Sequence, residues 1–393
     1  MIINPLEIDL SVVGWDFSGG KSKNVWGQVP TSNLPFDEIN AAIENNRKSC
    51  VWTCYDDAIY IKDASGKLLP LNLKNLPKTI SATFKPTYRK HAAVVENLGM
   101  RIAMALDLPT SYNYIVKFDK EKHDNIVKHI GNTSEEIQPY GVVSIDFLKP
   151  VANSEGEIVG ENLSSFADLF RLSKMLSGQN NTKISKWIKS VDTYIKDTYK
   201  HLPQELLSKQ IAKINSRIVR SYVLREFLGD CDFTELNSGI VSLNYAPNHD
   251  FGESFNSLMQ TKFFELPKPE HLEVILKYDP NYIEKKRLLK ENTLVETLAQ
   301  RYAQDTSKEN LEFIRENYPE ETCEVLNSLI EAIKNDTFSK LVDDYTLDKD
   351  GHTPLLTTEE AKMFKTYLNT RAGWLQNLLC HCYTEKHDKE RNI

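Results

Sequence analysis

One polar segment reads Gly229-Asp230-Cys231-Asp232-Phe233-Thr234-Glu235-Leu236-Asn237, then Ser238 to Asn244, then Asn248-His249-Asp250-Phe251-Gly252. The chain before it has the apolar spacing of a helix that ends at Phe227, and residues 239–243 have the character of a short strand. Turns rich in Asp, Asn and Gly separate these elements. A polar, acidic interruption of a helical region indicates a site built on loops.

The spacing within this stretch matches the metal-binding segments of protein kinases. In those enzymes a catalytic-loop Asp is followed five residues later by an Asn that binds Mg²⁺, and a hairpin then leads to an Asp-Phe-Gly metal ligand. Asp232 and Asn237 have this spacing, and Asp250 begins Asp-Phe-Gly. A carboxylate can accept the proton of an incoming hydroxyl, and amide and carboxylate oxygens suit Mg²⁺. Asp232 is therefore the predicted base, and Asn237 and Asp250 are the predicted metal ligands.

The first 149 residues have the pattern of a β-rich domain with one crossing helix. β-Branched and aromatic runs punctuated by Gly, Asp and Pro predict strands. These strands are at 10–15, 25–29, 51–55, 58–61, 79–84, 111–118 and 141–147. Val95, Leu98 and Ile102 are spaced three and four residues apart, which predicts a helix over 91–106.

Lys85 and Glu96 are the candidates for a nucleotide clamp in this domain. A kinase needs a strand-borne lysine for the α- and β-phosphates and a helix-borne acid to position it. Lys85 follows a predicted strand, and Glu96 lies in the helix after it. The last strand would then lead into a hinge whose backbone, at Ile145 and Phe147, is expected to bind adenine.

Two segments are candidates for the loop that covers the phosphates. Ser18-Gly19-Gly20-Lys21-Ser22 lies between two predicted strands, whereas Ser65-Gly66 is nearer Lys85 in the chain. Small residues in either segment expose backbone N–H groups that can bind phosphate. The first is preferred, and it requires an insertion over residues 30–75. A Walker-type loop is excluded, because it needs a glycine where the chain has Trp15.

Residues 150–393 are predicted to be mainly helical. The predicted helices are at 164–177, 185–200, 203–227, 271–277, 282–303, 308–317, 321–335 and 358–383. The two parts together predict an α+β, two-lobed protein-kinase-like fold. Residues 1–149 would form the β-rich lobe and residues 150–393 the mainly helical lobe that carries the catalytic and metal-binding loops.

Composition limits the kind of partner. A chain of 393 residues, 40% hydrophobic and 26% charged, is ordinary for a globular protein of two domains. The net charge of −7 argues against nucleic acid as a partner, and the basic run at 183–200 is interpreted as a solvated helix face. We find no bilayer-spanning stretch, signal peptide or disulfide pattern among the six cysteines. We expect no membrane association and a cytoplasmic location, or delivery into a host cell.

Taken together, these segments resemble the bacterial HipA-like serine/threonine kinases and the related CtkA kinases. The resemblance rests on Phe84-Lys85-Pro86, the helix from Val95-Glu96-Asn97, Ser144-Ile145-Asp146-Phe147, Gly229-Asp230-Cys231-Asp232 with Asn237, and Asp250-Phe251-Gly252-Glu253-Ser254. It spans about residues 10–260. It implies ATP and Mg²⁺ as cosubstrates, a protein hydroxyl as acceptor, autophosphorylation in the glycine loop at Ser18 or Ser22, and a toxin or effector with an antitoxin or a host-cell target as partner.

The sequence also departs from conventional kinases. The His-Arg that usually precedes the catalytic Asp is replaced by Asp230-Cys231, the catalytic-loop lysine by Thr234, and no Ala-Pro-Glu follows Gly252. These departures exclude a conventional eukaryotic-type kinase. Two alternatives stay open: a pseudokinase that binds nucleotide or a partner without turnover, and a small-molecule kinase.

Overall fold

The structure, a computed structural model, divides the chain into two compact units. The first unit contains Met1–Leu163, Pro247–Gly252 and Asp343–Thr357; the second contains Ser164–Ala246, Glu253–Val342 and Thr358–Ile393. The structure describes residues 6–7, 25–30, 53–55, 58–62, 68–70, 79–87, 91–117, 120–121, 123–124, 138–145, 149–152, 158–161, 164–166, 169, 184–230, 233, 237–241, 244–246, 248–252, 254–255, 306–346 and 354–390.

The strands of the first unit are β1 (Leu6–Glu7), β2 (Val25–Pro30), β3 (Thr53–Tyr55), β4 (Ala58–Lys62), β5 (Leu68–Pro70), β6 (Thr79–Pro86), β7 (Asn113–Lys117), β8 (Tyr140–Ile145), β9 (Lys149–Ala152) and β10 (Ile158–Glu161). The unit is built on a five-stranded sheet of order β1-β7-β8-β6-β2, in which β1 pairs parallel to β7 and the other pairs are antiparallel. A meander, β3-β4-β5, and a hairpin, β9-β10, belong to the same unit.

One long helix, α1 (Ala92–Ala105), packs against β7 and β8 of this sheet. Its apolar positions are buried, with Leu98 and Ile102 fully so, which is why the sequence forms a helix here. It ends at Leu106, where Asp107 takes a left-handed φ of 54° and the N–H of Leu108 donates to the carbonyl of Ala103. Three polar residues of α1, Glu96, Asn97 and Arg101, are buried as well.

The second unit is mainly helical. Its elements are β11 (Ser164–Ser165), α2 (Ile184–Thr198), α3 (Gln204–Leu228), β12 (Gly239–Val241), β13 (Asn244–Tyr245), α4 (Thr306–Asn317), α5 (Pro319–Lys334), α6 (Thr337–Asp343) and α7 (Thr358–Glu390). Helix α3 packs against α2, α4, α5, α7 and β13, and buries residues such as Ile218, Val223, Leu224 and Phe227 completely. A 3₁₀ turn, Asp344–Thr346, follows α6 and belongs to the first unit.

The mixed helix and sheet content agrees with the predicted fold class, while the two-lobed arrangement stays a prediction. One secondary-structure prediction was wrong: Ser164 and Ser165, predicted to begin a helix, form β11, whose backbone pairs with β12. Strands β9 and β10, at the start of the part predicted to be mainly helical, were not predicted. The predicted strand at 10–15 and the predicted helices at 271–277 and 282–303 lie outside the described residues. No helix in the described part of the chain is long and apolar enough to cross a lipid bilayer.

Candidate functional site

Lys85 lies at the centre of the candidate site in the first unit. It is the second-last residue of β6 and pairs with Val142 of β8. Its Nζ lies 3.1 Å from Oε2 of Glu96 on α1 and donates a hydrogen bond to Oδ1 of Asp250. The expected ion pair between Lys85 and Glu96 is therefore present. Asp250, 165 residues away in the chain, shares the same ammonium group.

Glu96 connects this lysine to the Asp-Phe-Gly segment. Its second oxygen, Oε1, accepts a hydrogen bond of 3.0 Å from the backbone N–H of Phe251. The Glu96 side chain is only 4% exposed, so both of its oxygens need partners inside the protein. One carboxylate thus fixes the position of Lys85 and of the backbone that carries Asp250.

The pKa values of Lys85 and Glu96 are both raised by their surroundings. Burial lowers the pKa of Lys85, but the carboxylates of Glu96 and Asp250 outweigh it, and the pKa is raised well above its ordinary value. Burial raises the pKa of Glu96, the charge of Lys85 opposes this, and Asp250 adds to the rise. The two carboxylates therefore favour the charged form of Lys85, and that charge lies between two groups that would otherwise repel each other.

The backbone around Asp250 is attached to the loop that follows α1. The carbonyl of Asn248 accepts hydrogen bonds of 2.8 Å from the N–H of Ser111 and from Oγ1 of Thr110. The N–H and Nδ2 of Asn248 both donate to the carbonyl of Pro109, each at 2.8 Å. Two residues later Asp250 has a left-handed φ of 59°, a conformation that Asp tolerates better than most residues. Anchoring at Asn248 positions this uncommon backbone.

Two glycines bring the parts of the site into close contact. A Cβ placed on Gly99 of α1 would lie 2.6 Å from Cβ and Cγ of Phe251, whose side chain is fully buried. A Cβ placed on Gly252 would lie 3.0 Å from Glu96 Oε2 and 3.1 Å from Lys85 Nζ. The helix therefore admits Phe251 because residue 99 has no side chain, and the ion pair fits because residue 252 has none.

A second cluster, in the helical unit, surrounds the start of the predicted catalytic loop. Arg225, in the last turn of α3, forms an ion pair with Asp230, and the two side chains are 2% and 0% exposed. The Arg225 guanidinium also lies 5.2 Å from the ring centroid of Phe233, which in turn contacts Trp187 edge-on at 5.3 Å. Residues 230 and 233, on either side of the predicted base at 232, are thus fixed by one arginine.

The end of α3 is held from several directions within the same unit. The carbonyl of Leu228 accepts hydrogen bonds from the N–H of Phe255, at 2.7 Å, and from the hydroxyl of Tyr367 on α7, at 3.2 Å. Arg371 of α7 donates to the carbonyl of Glu226. Gly229 then ends the helix with a left-handed φ of 61°. These bonds satisfy carbonyls that a helix terminus leaves without partners, and they fix the backbone at the start of the predicted catalytic loop.

Asn237 lies two residues before the start of β12 in this unit and is partly exposed. The next residue, Ser238, accepts a backbone hydrogen bond of 2.8 Å from Phe166, and the carbonyl of Gly239 accepts one of 2.9 Å from Ala246. These bonds hold the backbone that follows the predicted amide ligand. Its role in binding a metal stays a prediction.

The other predicted site residues fall elsewhere. Ile145 is the last residue of β8 and pairs with Ala82 of β6. Outside the described residues lie Asp232, Ser18, Gly19, Gly20 and Phe147, together with the alternative loop at Ser65-Gly66. Sequence reasoning missed Arg225 and Asn248. Arg225 has the sequence signature of an ordinary cation in a helix's last turn, and Asn248 that of an ordinary turn residue, so neither gave a distinguishing signal.

The described residues fit ATP and Mg²⁺ as a ligand pair. Lys85 and Asp250 keep 23% and 35% of their side-chain surface exposed, so an ammonium donor and a hard carboxylate oxygen are both accessible. Within the described ranges there is no group of three or more His, Cys, Asp and Glu side chains that could hold a metal. Magnesium bound together with ATP needs only one or two carboxylates besides the phosphates.

Comparisons with known proteins gave structural neighbours only. No family model and no curated protein matches the chain. The crystal structure of the Helicobacter pylori proinflammatory kinase CtkA is similar with a TM-score of 0.46 and 11% identity, over 97% of each chain. HipA of a Shewanella oneidensis MR-1 toxin–antitoxin system, in a complex with HipB and its operator DNA, is similar with a TM-score of 0.41 and 10% identity, over 80% of this chain and 63% of that one.

Proposed function

We propose that this chain is a HipA-like phosphotransferase that transfers the γ-phosphoryl group of ATP to a hydroxyl. The observation that carries the proposal is the position of Lys85 Nζ between the carboxylates of Glu96 and Asp250. Protein kinases require a strand lysine paired with a helix glutamate and an Asp-Phe-Gly aspartate for metal. Here a strand, a helix and a later Asp-Phe-Gly supply those three groups in that order.

Each residue has a defined task in this proposal. Lys85 binds the α- and β-phosphates, and Glu96 holds it in place. Asp250 and Asn237 would hold Mg²⁺, and Asp232 would accept the proton of the attacking hydroxyl. When bound, ATP supplies the phosphoryl group, and Mg²⁺ neutralises charge on the phosphates. Backbone groups at Ile145 and Phe147 would bind adenine, and the segment Ser18-Gly19-Gly20 would cover the phosphates.

We further propose that the acceptor is a serine or threonine of a protein, in keeping with the HipA-like resemblance. Under this proposal an antitoxin or a host-cell protein is the partner. Autophosphorylation at Ser18 or Ser22 would place about −1.5 to −2 charges where the phosphates of ATP must bind, and would switch the enzyme off. An active preparation without phosphate between Gly14 and Gly27, by mass spectrometry, would remove this regulatory step alone.

A nucleotide-binding pseudokinase is the second candidate, and the replacement of the loop arginine and lysine by Cys231 and Thr234 favours it. Arg225, on α3, is relevant to these two missing cations, because it contributes a buried positive charge beside the loop. A small-molecule kinase is the third candidate, since it needs no Ala-Pro-Glu segment. Phosphate transfer to protein substrates, compared with transfer to free alcohols, distinguishes the three.

The test is incubation of the purified chain with labelled ATP and Mg²⁺. The parent should transfer phosphate, Asp232→Ala and Asp250→Ala should transfer none, and Lys85→Met should lose at least about 100-fold in rate. Lys117→Met, which changes a lysine at the end of β7, is the matched control and should keep parental activity. Near-parental activity in both aspartate variants would end the kinase assignment. ATP binding without transfer in the parent would favour the pseudokinase.

A further inference from the structure

A segment far along the chain contacts the helix that carries Glu96, inside the first unit. Nη2 of Arg101 on α1 lies 2.5 Å from Oδ2 of Asp344, and its guanidinium lies 5.6 Å from the ring centroid of Tyr345. The hydroxyl of Tyr345 donates a hydrogen bond of 2.6 Å to Oδ1 of Asn97. Asp344 and Tyr345 are separated from these partners by 243 and 248 residues.

Hydrogen bonds of Asn97 connect this contact to the backbone of Glu96. Its Nδ2 donates to the carbonyl and to Oδ1 of Asn113 on β7, both at 3.0 Å. Nδ2 of Asn113 donates in turn to the carbonyl of Glu96, at 3.4 Å. The amide of Asn97 is therefore held by the sheet through its nitrogen and by Tyr345 through its oxygen. These bonds fix the rotation of α1 at the residue next to Glu96.

The contacting segment is itself folded. The carbonyl of Tyr345 accepts hydrogen bonds of 3.0 Å from the N–H groups of Leu355 and of Leu356. The side chains of Tyr345 and Leu356 are both 1% exposed. We call Asp344-Tyr345 with Leu355-Leu356 the strap. Because its backbone closes on itself and the side chains of Tyr345 and Leu356 are buried, it holds a defined position against α1.

The polar residues of α1 need the strap. Asn97 and Arg101 are 4% and 6% exposed, and a buried amide or guanidinium without partners is costly. Asp344 supplies the charge partner of Arg101, and Tyr345 supplies a donor to Asn97 and an aromatic face to Arg101. Without these groups, α1 would place the two polar side chains at the surface by rotating or shifting away. Such a movement would separate Glu96 from Lys85.

We propose that the strap is a positioning device for Glu96, and that Asp344 and Tyr345 are positioning residues for phosphoryl transfer; the catalytic part of this proposal rests on the proposed function. A kinase is active only when its helix glutamate reaches the strand lysine. In this chain that alignment is set in cis by residues that begin 243 positions after Arg101 of the helix. Any event that separates the strap from α1 would lower the rate of phosphoryl transfer, although the residues of the site itself are unchanged.

Hydrogen exchange tests the strap independently of activity. Tyr345→Phe removes the hydroxyl alone, and Asp344→Asn removes the charge at constant size. Both variants should speed exchange in peptides covering 92–105 and at the Phe251 amide, by about tenfold for a contact of this strength. Tyr318→Phe, which removes a hydroxyl at the start of α5, is the matched control and should leave this exchange unchanged. Parental exchange in both folded strap variants would overturn the proposal.

Activity then separates positioning from general stability. Tyr345→Phe should lower kcat about tenfold, while KM for ATP changes less than about twofold. In a Glu96→Gln background the same change should cost little, because the residue that the strap positions has already lost its charge. Equal losses in both backgrounds would overturn the positioning role. If the parent transfers no phosphate, the proposed function fails, and hydrogen exchange still decides whether the strap holds α1.

Discussion

At the scale of single residues, the site depends on the small volume at position 252. Gly252 has a φ outside the left-handed region, so its backbone accepts a side chain. An added Cβ would nevertheless lie 3.0 Å from Glu96 Oε2 and 3.1 Å from Lys85 Nζ, which is closer than ordinary van der Waals contact. The ends of these two side chains would have to move apart. Glycine is needed here for the geometry of the ion pair.

We predict that Gly252→Ala lowers the rate of phosphoryl transfer by about tenfold and changes the free energy of unfolding by less than about 1 kcal/mol. The rate falls because Lys85 is displaced, whereas the displaced atoms are flexible and cost little stability. Gly373→Ala is the control, since a Cβ there meets nothing within 4 Å. In the interior of α7 it should stabilise by about 0.5–1 kcal/mol. Parental turnover in Gly252→Ala would contradict the prediction.

The residues of the site differ in how far the sequence predicts them. Lys85, Glu96 and Asp250 each lie beside a local pattern, namely a strand, a periodic helix and Asp-Phe-Gly, and so they are found from the sequence. Arg225 and Asn248 have no such pattern. Their importance comes from burial and from partners such as Asp230 and Pro109, which only the folded backbone brings to them. Polar residues with ordinary local roles are the ones that sequence reasoning overlooks.

At the scale of elements, α1 can approach the Asp-Phe-Gly segment because of Gly99. We predict that Gly99→Ala destabilises the protein by about 1–3 kcal/mol, although alanine is the better helix former. The new Cβ would overlap Phe251, and moving that residue would break the bond from its N–H to Glu96. Phosphoryl transfer should fall with it. Urea unfolding measures the first effect, and turnover measures the second.

A double-mutant cycle checks that the loss comes from this contact. Phe251→Ala removes the Cγ and Cδ1 atoms that a Cβ at position 99 would meet, so Gly99→Ala should cost less in that background. Strict additivity of the two changes in the free energy of unfolding would mean that Gly99 and Phe251 act independently.

The end of α3 provides a second prediction at this scale. Arg225→Met would leave the carboxylate of Asp230, 0% exposed, without its cation, and we expect a loss of about 3–5 kcal/mol. Arg220→Met, on the same helix, breaks a pair with Glu324 whose side chains are 29% and 60% exposed, and it should cost less than about 1 kcal/mol. Urea denaturation measures the free energy of unfolding of both variants. Equal costs would show that Arg225 does not hold the loop.

Some elements follow from local sequence and others do not. Strands β6 and β8 are β-branched runs next to turn residues, and α1 has a clear apolar period, so the sequence predicts them. Strand β11 consists of two serines and exists because Ser164 and Ser165 pair with Ile240 and Gly239. Its pairing partner lies far away in the chain. Long-range backbone pairing of this kind leaves no local signature.

At the scale of the whole molecule, the chain order does not follow the units. The first unit takes Pro247–Gly252 and Asp343–Thr357 from the C-terminal part of the chain. The first of these segments carries Asp250, and the second carries Asp344 and Tyr345 of the strap. A change in composition along the sequence indicates domains that are contiguous in the chain. It therefore gave no sign that residues 247–252 and 343–357 belong to the first unit. The consequence is that stability of the β-rich unit depends on residues throughout the sequence.

That dependence should appear in the alkaline limb of the stability curve. Burial raises the pKa of Tyr345 from its ordinary value of 10.0 to about 12, while the charge of Arg101 opposes the rise. A group whose pKa is raised on folding contributes its full stability below the unfolded pKa and loses it as pH rises through the folded pKa. The hydroxyl of Tyr345 should therefore stabilise the protein fully below pH 10 and lose about 2 kcal/mol between pH 10 and 12.

We predict that the free energy of unfolding falls more steeply with pH above 10 in the parent than in Tyr345→Phe, which has no hydroxyl to titrate. The pKa values of Tyr114, Tyr245 and Lys85 are also raised, so both proteins lose stability in this range. These groups cancel in the comparison because the two proteins share them, and the difference isolates position 345. Urea unfolding at intervals from pH 8 to 11 measures it. Parallel curves would mean that the Tyr345 hydroxyl keeps its ordinary pKa, and is therefore not buried against Asn97 and Arg101.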